Sequence, residues 1–290
     1  LDGKSFFYVN PLEVLPEACR RDERKFHVKS IRQKWFGCAC CPPKIARLVS
    51  SIASYACTEN NDTLFVHLYM GCELKKKVGG KEVSVRITSG FPYEGKVTLT
   101  VDCDTPTEMT LALRLPDWAK ECVVNGVSTT NKALCGGEAS PVLEAIKTAA
   151  GISCAKVSDG YLYLSGTWSG SSEIKLDFPM SVRIMAANPS VREDAGKVAV
   201  TCGPMVYCLE EADNGTDLHL LQLDCANPDF KVNPGAILGA PSITANGYKG
   251  KNTAGEGLYH VYQSEKPTEC QLTFLPYYMW NNRGEGEMTV

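Results

Sequence analysis

Most of the chain consists of short runs in which apolar and polar residues alternate, and this period of two constrains the fold more than any other feature. The runs start after Glu59 and read TLFVHLYM, KEVSVRI, KVTLTVDC, EMTLALRLP, GYLYLSG, SEIKLDF, KVAVTCG, MVYCLEE and LHLLQLD. Gly, Pro, Asn and Asp separate them at roughly the 8 to 12 residue spacing of antiparallel sandwiches. Asn125-Gly126 is a typical hairpin turn. The sequence therefore predicts a mainly β protein.

Two stretches interrupt the strand pattern. Residues 130–156 contain a Gly-Gly turn and a short helical run at 142–149, which predicts an inserted helix. Residues 186–197, AANPSVREDAGK, separate two strand-rich blocks and form the expected domain boundary. Because 290 residues exceed the usual size of one domain, two β domains with separate cores are expected.

The charge balance argues against two classes of partner. The chain has 30 basic and 33 acidic residues, and its longest basic run covers only residues 75–77. Nucleic acids and anionic membranes bind dense basic faces, so neither partner is expected. No stretch reaches the roughly 18 apolar residues of a membrane span, and we expect a water-soluble protein.

Most of the 14 cysteines occur singly within apolar, strand-like runs. These are Cys72, Cys103, Cys122, Cys202, Cys208, Cys225 and Cys270. Such a cysteine is typically a small buried hydrophobe rather than a disulfide partner, which favours the reducing cytoplasm over the periplasm, the alternative. Because the chain starts at Leu1, without a methionine or an apolar leader, we also expect it to be a piece of a longer product.

The segment WFGCACCPPKIARLVSSIASYAC, residues 35–57, places three cysteines directly before a periodic stretch. Apolar residues recur there at steps of three and four: Ile45, Leu48, Val49, Ile52, Ala53 and Ala56. This spacing predicts one stripe of an amphipathic helix. Pro42 and Pro43 suit the first turn of that helix, which makes Cys41 the expected N-cap.

The predicted helix start gives the cysteines a chemical use. Unpaired N–H groups and the positive end of the helix dipole stabilise negative charge, so we expect the thiolate forms of Cys40 and Cys41 to be favoured. Lys44, one turn further on, adds positive charge. Thiolate is the form of cysteine that attacks carbon and binds metal.

Three uses of these cysteines stay open on the residues alone. They could supply two of the four ligands of a zinc site, but the four histidines show no ligand spacing and the site would be incomplete within the chain. Redox exchange is disfavoured because adjacent cysteines close a strained ring and the spacing is not C-x-x-C. Burial of three cysteines in a tight turn is the structural alternative.

Other candidate groups carry weaker signals. The carboxylates before the cysteines are Glu13, Glu17, Asp22 and Glu23, and solvated surface positions are a simpler interpretation of them than a general acid. Some strand-region aromatics could stack on sugar rings, although strand aromatics usually belong to a core. These are Trp118, Tyr161, Tyr163, Trp168, Tyr277, Tyr278 and Trp280.

Longer motifs extend nearly from end to end of the chain. They are YVNPLE at residues 8–13, FGCACCPPKIARL at 36–48, and then LRLPDWA, GYLYLSGTW, NPSVREDAGKVAVTCGPMVYCLE and PYYMWNNRGEGEMTV. On these motifs the chain resembles the bacterial β-L-arabinofuranosidase family of glycoside hydrolases, in which an (α/α)6 barrel carries the active site and two β-sandwich domains follow. The resemblance implies that the chain is the C-terminal portion of such an enzyme.

The resemblance also implies a division of the chain. Residues 1–58 would be the C-terminal helical remnant of the (α/α)6 barrel. Residues 59–186, together with a last strand at 276–290, would form the first β-sandwich. Residues 187–275 would form the second.

The resemblance implies a retaining mechanism in which a zinc-bound cysteine attacks the anomeric carbon. By motif match, Cys40 is the nucleophile and a zinc ligand, and Cys41 is a second ligand. Tyr8 matches a tyrosine lining the sugar pocket, and Cys38 a cysteine beside the site. The other zinc ligands, a glutamate and a cysteine two residues apart, and the acid/base glutamate belong to barrel helices that would precede Leu1. The chain alone should therefore be inactive.

The expected partner is a glycan substrate containing β-linked arabinofuranose or a related sugar. The family usually has asparagine where this chain has Lys44, which alters the charge beside the metal and bears on substrate preference. A homodimer is compatible with the sequence. The alternative from a different class is a carbohydrate-binding or scaffolding β-sandwich module without catalysis.

Overall fold

The computed structural model describes residues 2–21, 27–37, 40–130, 141–251, 257–262 and 264–290. The chain forms two compact units. The C-terminal unit combines Leu1–Cys41 with Val182–Val290, and the middle unit is Pro42–Ser181. Within the described residues each unit contains one nine-stranded sheet, so the mainly β class predicted from the sequence is confirmed.

The strands, in chain order, are β1 (Glu13–Val14), β2 (Cys57–Glu59), β3 (Thr63–Val66), β4 (Cys72–Val78), β5 (Lys81–Ser89), β6 (Lys96–Arg114), β7 (Glu121–Val124), β8 (Val127–Thr130), β9 (Cys154–Ser158), β10 (Tyr161–Asp177), β11 (Val182–Ala186), β12 (Val198–Cys202), β13 (Met205–Glu210), β14 (Leu221–Leu223), β15 (Lys231–Ile237), β16 (Ala240–Lys249), β17 (Thr268–Pro276) and β18 (Met288–Thr289). The helices are α1 (Pro16–Arg21), α2 (Cys41–Ser51), α3 (Ala53–Ala56), α4 (Pro141–Ala150) and α5 (Glu211–Asn214).

The middle unit is built on two long strands, β6 and β10, of 19 and 17 residues, which pair antiparallel along nearly their whole length. A bulge between Trp168 and Gly170 shifts the register. The sheet order is β2-β3-β6-β10-β7-β8, with β5 on β6, β4 on β5 and β9 on β10. Each long strand therefore joins two runs that the sequence pattern separates.

Alternation along these strands sends every second side chain into the core. Leu111 and Leu113 of β6, with Leu162 and Leu164 of β10, are fully buried. The predicted hairpin is confirmed, because Asn125-Gly126 joins the antiparallel strands β7 and β8. Its two residues have φ of 46° and 85°, as such a tight turn requires. Helix α4 confirms the helix expected at 142–149.

The sheet of the C-terminal unit has the order β1-β18-β13-β17-β16-β14, with β12 on β13, β11 on β12 and β15 on β16. The first and last strands of the chain are therefore neighbours, and β1 pairs antiparallel with β18. This pair is apolar on its inner face, where Val14 and Met288 are buried against Cys208, Leu275 and Trp280.

Two parts of the expected division are corrected by this pairing. The segment 276–290, expected to complete the first sandwich, belongs to the C-terminal unit, because β18 pairs with β13 and buries Met288 there. The boundary expected at 186–197 instead connects β11 to β12 within one sheet. The change of unit falls at Ser181 and Val182.

The helix predicted from the apolar stripe is present as α2 and α3, which are separated at Ile52. Within the described part of the chain, no residue of α2 is buried. Ile45, Leu48 and Val49 are 59%, 54% and 63% exposed. The stripe is thus formed but uncovered. No helix in the described ranges has the length and apolar character needed to cross a lipid bilayer.

The described cysteines form no disulfide with one another, and burial separates them into classes. Cys103, Cys122, Cys202 and Cys208 are buried, as the strand pattern predicts. Cys72 and Cys270 are half-buried. Cys225 is exposed, so its predicted burial is wrong. It follows β14 in an irregular connection, where alternation no longer directs a side chain inward.

The buried Cys57 should make the middle unit sensitive to alkaline pH. Burial, and secondarily the thiol of Cys72, raise the pKa of Cys57 to about 12, against about 8.5 in an unfolded chain. The folded state then holds a proton that the unfolded state releases, so the free energy of unfolding falls as pH rises between these values. We expect Cys57→Ala to flatten that fall by about 1.4 kcal/mol per pH unit, as measured by urea unfolding at several pH values.

The matched control is Val66→Ala, at the position paired with Cys57 across β2 and β3. It deletes buried volume without removing a titrating group, so it should lower the free energy of unfolding equally at every pH. An unchanged alkaline slope in Cys57→Ala would contradict the prediction.

Candidate functional site

Cys40 and Cys41 lie at the start of α2. With Cys41 as the N-cap, the sequence predicts Pro42 as the first helical residue. In the structure the helix begins one position earlier, at Cys41. Cys40 is exposed and Cys41 is half-buried, so Cys40 can be reached from solvent. Their Sγ atoms are 3.9 Å apart. The alternative of a buried structural cluster does not describe Cys40.

Tyr8 provides a polar contact to the Cys40 thiol. Its hydroxyl lies 2.8 Å from the Sγ of Cys40, although the two residues are 32 positions apart in the chain. The Tyr8 ring stacks on His27, with centroids 4.4 Å apart and planes 14° apart. It also contacts the ring of the buried Phe36 at 5.3 Å. Rings on two sides therefore limit the motion of the tyrosine.

The chain segments that carry these side chains are joined by backbone pairing. Phe6 and Gln33 exchange two hydrogen bonds, each 2.9 Å long between N and O. The Phe6 ring packs on Phe36 at 5.2 Å. This antiparallel bridge places Tyr8 beside the stretch that leads to Cys40.

Two further predicted residues have different outcomes. Cys38 lies outside the described residues. Lys44 is exposed in the first turn of α2, where its ammonium group faces solvent. His27 was missed as a neighbour of the site, because its contact with Tyr8 depends on tertiary structure and no sequence spacing signals it.

The two thiols suit shared coordination of one metal ion. Two sulfur atoms bound to tetrahedral zinc at about 2.3 Å lie about 3.8 Å apart. The observed separation of 3.9 Å between the Cys40 and Cys41 sulfur atoms matches this geometry. The pair therefore fits half of a zinc site.

A glutamate and a cysteine two residues apart do occur in the chain, at Glu17 and Cys19 on α1. Glu17 forms an ion pair with Arg21 at 3.1 Å, and Cys19 packs against the apolar core of the C-terminal unit. No group of three or more His, Cys, Asp or Glu side chains in the described residues is arranged to hold a metal ion. Glu17 and Cys19 thus do not complete the site of Cys40 and Cys41.

Three family models match consecutive parts of the chain. Residues 1–54 match "Beta-L-arabinofuranosidase, GH127 catalytic domain", residues 63–180 match "Beta-L-arabinofuranosidase, GH127 middle domain", and residues 182–290 match "Glycoside hydrolase family 127 C-terminal domain". The chain therefore belongs to glycoside hydrolase family 127. Its two β units coincide closely with the middle and C-terminal domains of that family.

Named relatives agree with this assignment. A non-reducing end β-L-arabinofuranosidase from Bifidobacterium longum subsp. longum is 34% identical over all of this chain and 42% of its own length. The crystal structure of a GH127 β-L-arabinofuranosidase from Geobacillus stearothermophilus T6 is 40% identical with a TM-score of 0.81, and that of the GH127 β-arabinofuranosidase BT3674 is 30% identical with a TM-score of 0.76. In both, the match covers all of this chain and 42% of the other. The chain thus spans less than half the length of these relatives.

The exposure of Cys40 predicts selective labelling. At pH 8, iodoacetamide should modify Cys40 at least about a hundredfold faster than Cys57 or Cys208, because thiolate is the reactive form and burial raises the pKa of both buried thiols. Mass spectrometry of peptides from a time course measures the three rates. In 6 M guanidinium the rates should converge, and equal rates in the folded chain would contradict the structure.

Proposed function

We propose that the chain is the C-terminal part of a retaining glycoside hydrolase that releases β-L-arabinofuranose, or a related sugar, from glycans. The observation that carries the proposal is the exposed thiol of Cys40 at a helix start, with the Tyr8 hydroxyl at 2.8 Å and a second thiol at 3.9 Å. The family match and the names of the relatives support the substrate class.

In the proposed reaction Cys40 takes the place of the carboxylate nucleophile of ordinary retaining glycosidases. Its thiolate attacks the anomeric carbon, a C–S bond forms, and the bond to the leaving oxygen breaks as a glutamic acid outside the described residues protonates that oxygen. The resulting glutamate then takes a proton from water. The water oxygen replaces sulfur at the carbon, which regenerates the Cys40 thiolate and retains the anomeric configuration.

The chain's own residues prepare the nucleophile for this reaction. The Tyr8 hydroxyl can donate a hydrogen bond to the Cys40 thiolate, and the ring contacts with His27 and Phe36 keep it aimed at sulfur. The start of α2 favours negative charge at the same place.

We propose Cys40 and Cys41 as two ligands of a zinc ion, on the basis of their sulfur separation. A bound zinc ion would keep the thiolates ionised at neutral pH. The other ligands and the acid/base glutamate would come from residues beyond those described here.

The uncovered face of α2 supports a catalytic domain that is only partly represented in this chain. Ile45, Leu48 and Val49 expose more than half of their surface, and an apolar helix stripe normally packs against another element. We propose that further helices of the catalytic domain cover this stripe in the complete enzyme. The 290-residue chain alone should then show neither turnover nor tight zinc binding.

The decisive experiment substitutes the nucleophile in the complete enzyme. Cys40→Ser should lower kcat by at least about a thousandfold on a β-L-arabinofuranosyl substrate, because an alcohol at this position is a far poorer nucleophile than a thiolate. Cys41→Ser should lower the zinc content, as measured by elemental analysis of the purified protein. Full activity of Cys40→Ser would overturn the proposed mechanism.

The control for these substitutions is Cys154→Ser, which alters an exposed thiol on β9. This variant should keep its zinc content and its kcat. Loss of activity in Cys154→Ser to the same extent would show that the assay reports general damage to the protein.

Two properties of the complete protein stay as proposals from the sequence. We propose a cytoplasmic location, with the periplasm as the alternative, because most of the cysteines occur singly within apolar, strand-like runs. A homodimer remains a prediction that size-exclusion chromatography with light scattering would test.

The rival function is a carbohydrate-binding module without catalysis. Trp168 and Trp280 are only 3% and 4% exposed, so they offer no stacking surface. The half-buried rings of Tyr161 and Tyr163 on β10 are better candidates, and the Lys156 ammonium lies 5.4 Å from the Tyr163 ring centroid.

A glycan array separates the two functions. Under the enzyme proposal, the 290-residue chain should bind no glycan above background. Binding that Tyr163→Ala abolishes and that Tyr93→Ala, at an exposed tyrosine elsewhere, leaves intact would favour the binding module.

A further inference from the structure

Asn281, on the connection between β17 and β18, lies at the centre of a polar cluster in the C-terminal unit. It is only 9% exposed, and its φ of 58° is a left-handed conformation that asparagine tolerates better than most residues. Its side-chain amide donates to the carbonyl of Ser30 at 2.7 Å and to that of Gly284 at 3.0 Å. Its side-chain oxygen accepts from the backbone N–H of Arg32 at 3.2 Å. One buried amide therefore joins two distant parts of the chain.

Arg32 reinforces the same junction from the opposite side. Its guanidinium donates to the carbonyls of Tyr278 and Trp280, at 3.1 Å and 2.9 Å. It also lies 4.9 Å from the centre of the Phe7 ring, which is stacked on Trp280 at 4.0 Å with planes only 8° apart. Segments around residues 7 and 32 are thus both fixed to residues 278–281.

From this junction a continuous path of contacts leads to the thiol. Arg32, whose backbone N–H binds the Asn281 side chain, is directly followed by Gln33, which pairs with Phe6 through two backbone hydrogen bonds. Two residues after Phe6 comes Tyr8, whose hydroxyl meets the Sγ of Cys40. Each step is a hydrogen bond or one or two covalently linked residues, so little freedom separates Asn281 from Tyr8.

We propose that Asn281 is a positioning residue for the Cys40 thiol, acting through the Ser30–Gln33 segment and Tyr8. The strands of the C-terminal unit would then hold the segment that carries Tyr8 in position against Cys40. The importance of Asn281 for hydrolysis rests on the function proposed above. The effect of Asn281 on the position of the Cys40 thiol does not depend on that function, and it can be measured without substrate.

The test is a double-mutant cycle read by the alkylation rate of Cys40 in the 290-residue chain, at one fixed pH and with a chelator present. Tyr8→Phe removes the hydroxyl that meets sulfur, and Asn281→Gly removes the amide while permitting the left-handed backbone. Each should change the rate in the same direction by about two- to tenfold, the range that one hydrogen bond controls. The double variant should match Tyr8→Phe alone, because both changes act on the same contact.

The matched control is Asn214→Ala. The side chain of Asn214 also makes three hydrogen bonds, to the carbonyls of Glu210 and Thr273 and from the N–H of Thr273, but all remain within the C-terminal sheet region. This variant should lose thermal stability and keep the Cys40 rate of the unmodified chain. If Asn214→Ala changes the alkylation rate of Cys40 as much as Asn281→Gly does, the effect reflects a general loss of stability of the unit. That result would overturn the proposal.

Further outcomes also decide the proposal. It fails if Tyr8→Phe leaves the rate unchanged, if Asn281→Gly leaves it unchanged, or if the two effects add in the double variant. Where Asn281→Gly does not fold, Arg32→Met takes its place in the cycle, since it removes the hydrogen bonds to the Tyr278 and Trp280 carbonyls. Because no substrate is used, failure of this test is distinct from failure of the proposed hydrolase, which Cys40→Ser in the complete enzyme decides.

Discussion

The attachment of residues 6–14 and 30–33 to the last part of the chain is the interaction on which the candidate site depends. Strand β1 pairs with β18, and hydrogen bonds of Asn281 and Arg32 bind the segment that precedes the cysteines to residues 278–281. Short segments without extensive secondary structure seldom hold a side chain in one position. Here Tyr8 is aimed at Cys40 because its segment is fixed to a sheet with its own apolar core.

The described residues bring together two thiols and a tyrosine hydroxyl, but no group of three or more metal-binding side chains. Two adjacent sulfur atoms at a suitable distance, an accessible thiol and a tyrosine hydroxyl are what a thiolate nucleophile and a pair of zinc ligands need. The uncovered stripe of α2 is the observation behind the proposal that further helices cover it in the complete enzyme. Family membership and local geometry thus support the same proposed hydrolase.

Most of the secondary structure could be predicted from the sequence, because it follows from local patterns. The period of two specified the strands, Asn125-Gly126 specified its hairpin, and the stripe beginning at Ile45 specified a helix. The predictions failed where the strand pairing, burial or contacts of a residue depend on distant parts of the chain. Segment 276–290 carries no local mark of its sheet, and Cys225 follows a strand too short to direct its side chain inward. His27 entered the site by stacking on Tyr8, which no spacing reveals.

The sequence by itself determined the β class and the helix at the two prolines, and it indicated the cysteines as the candidate reactive groups, because periodicity, turn residues and helix caps act over a few neighbouring positions. Only the tertiary structure decided that Tyr8 meets Cys40, that β1 joins β18, and that Asn281 links the two ends of the C-terminal unit. Those contacts join residues 32 to 276 positions apart, and their partners are selected by burial and hydrogen bonding in the folded chain rather than by local pattern.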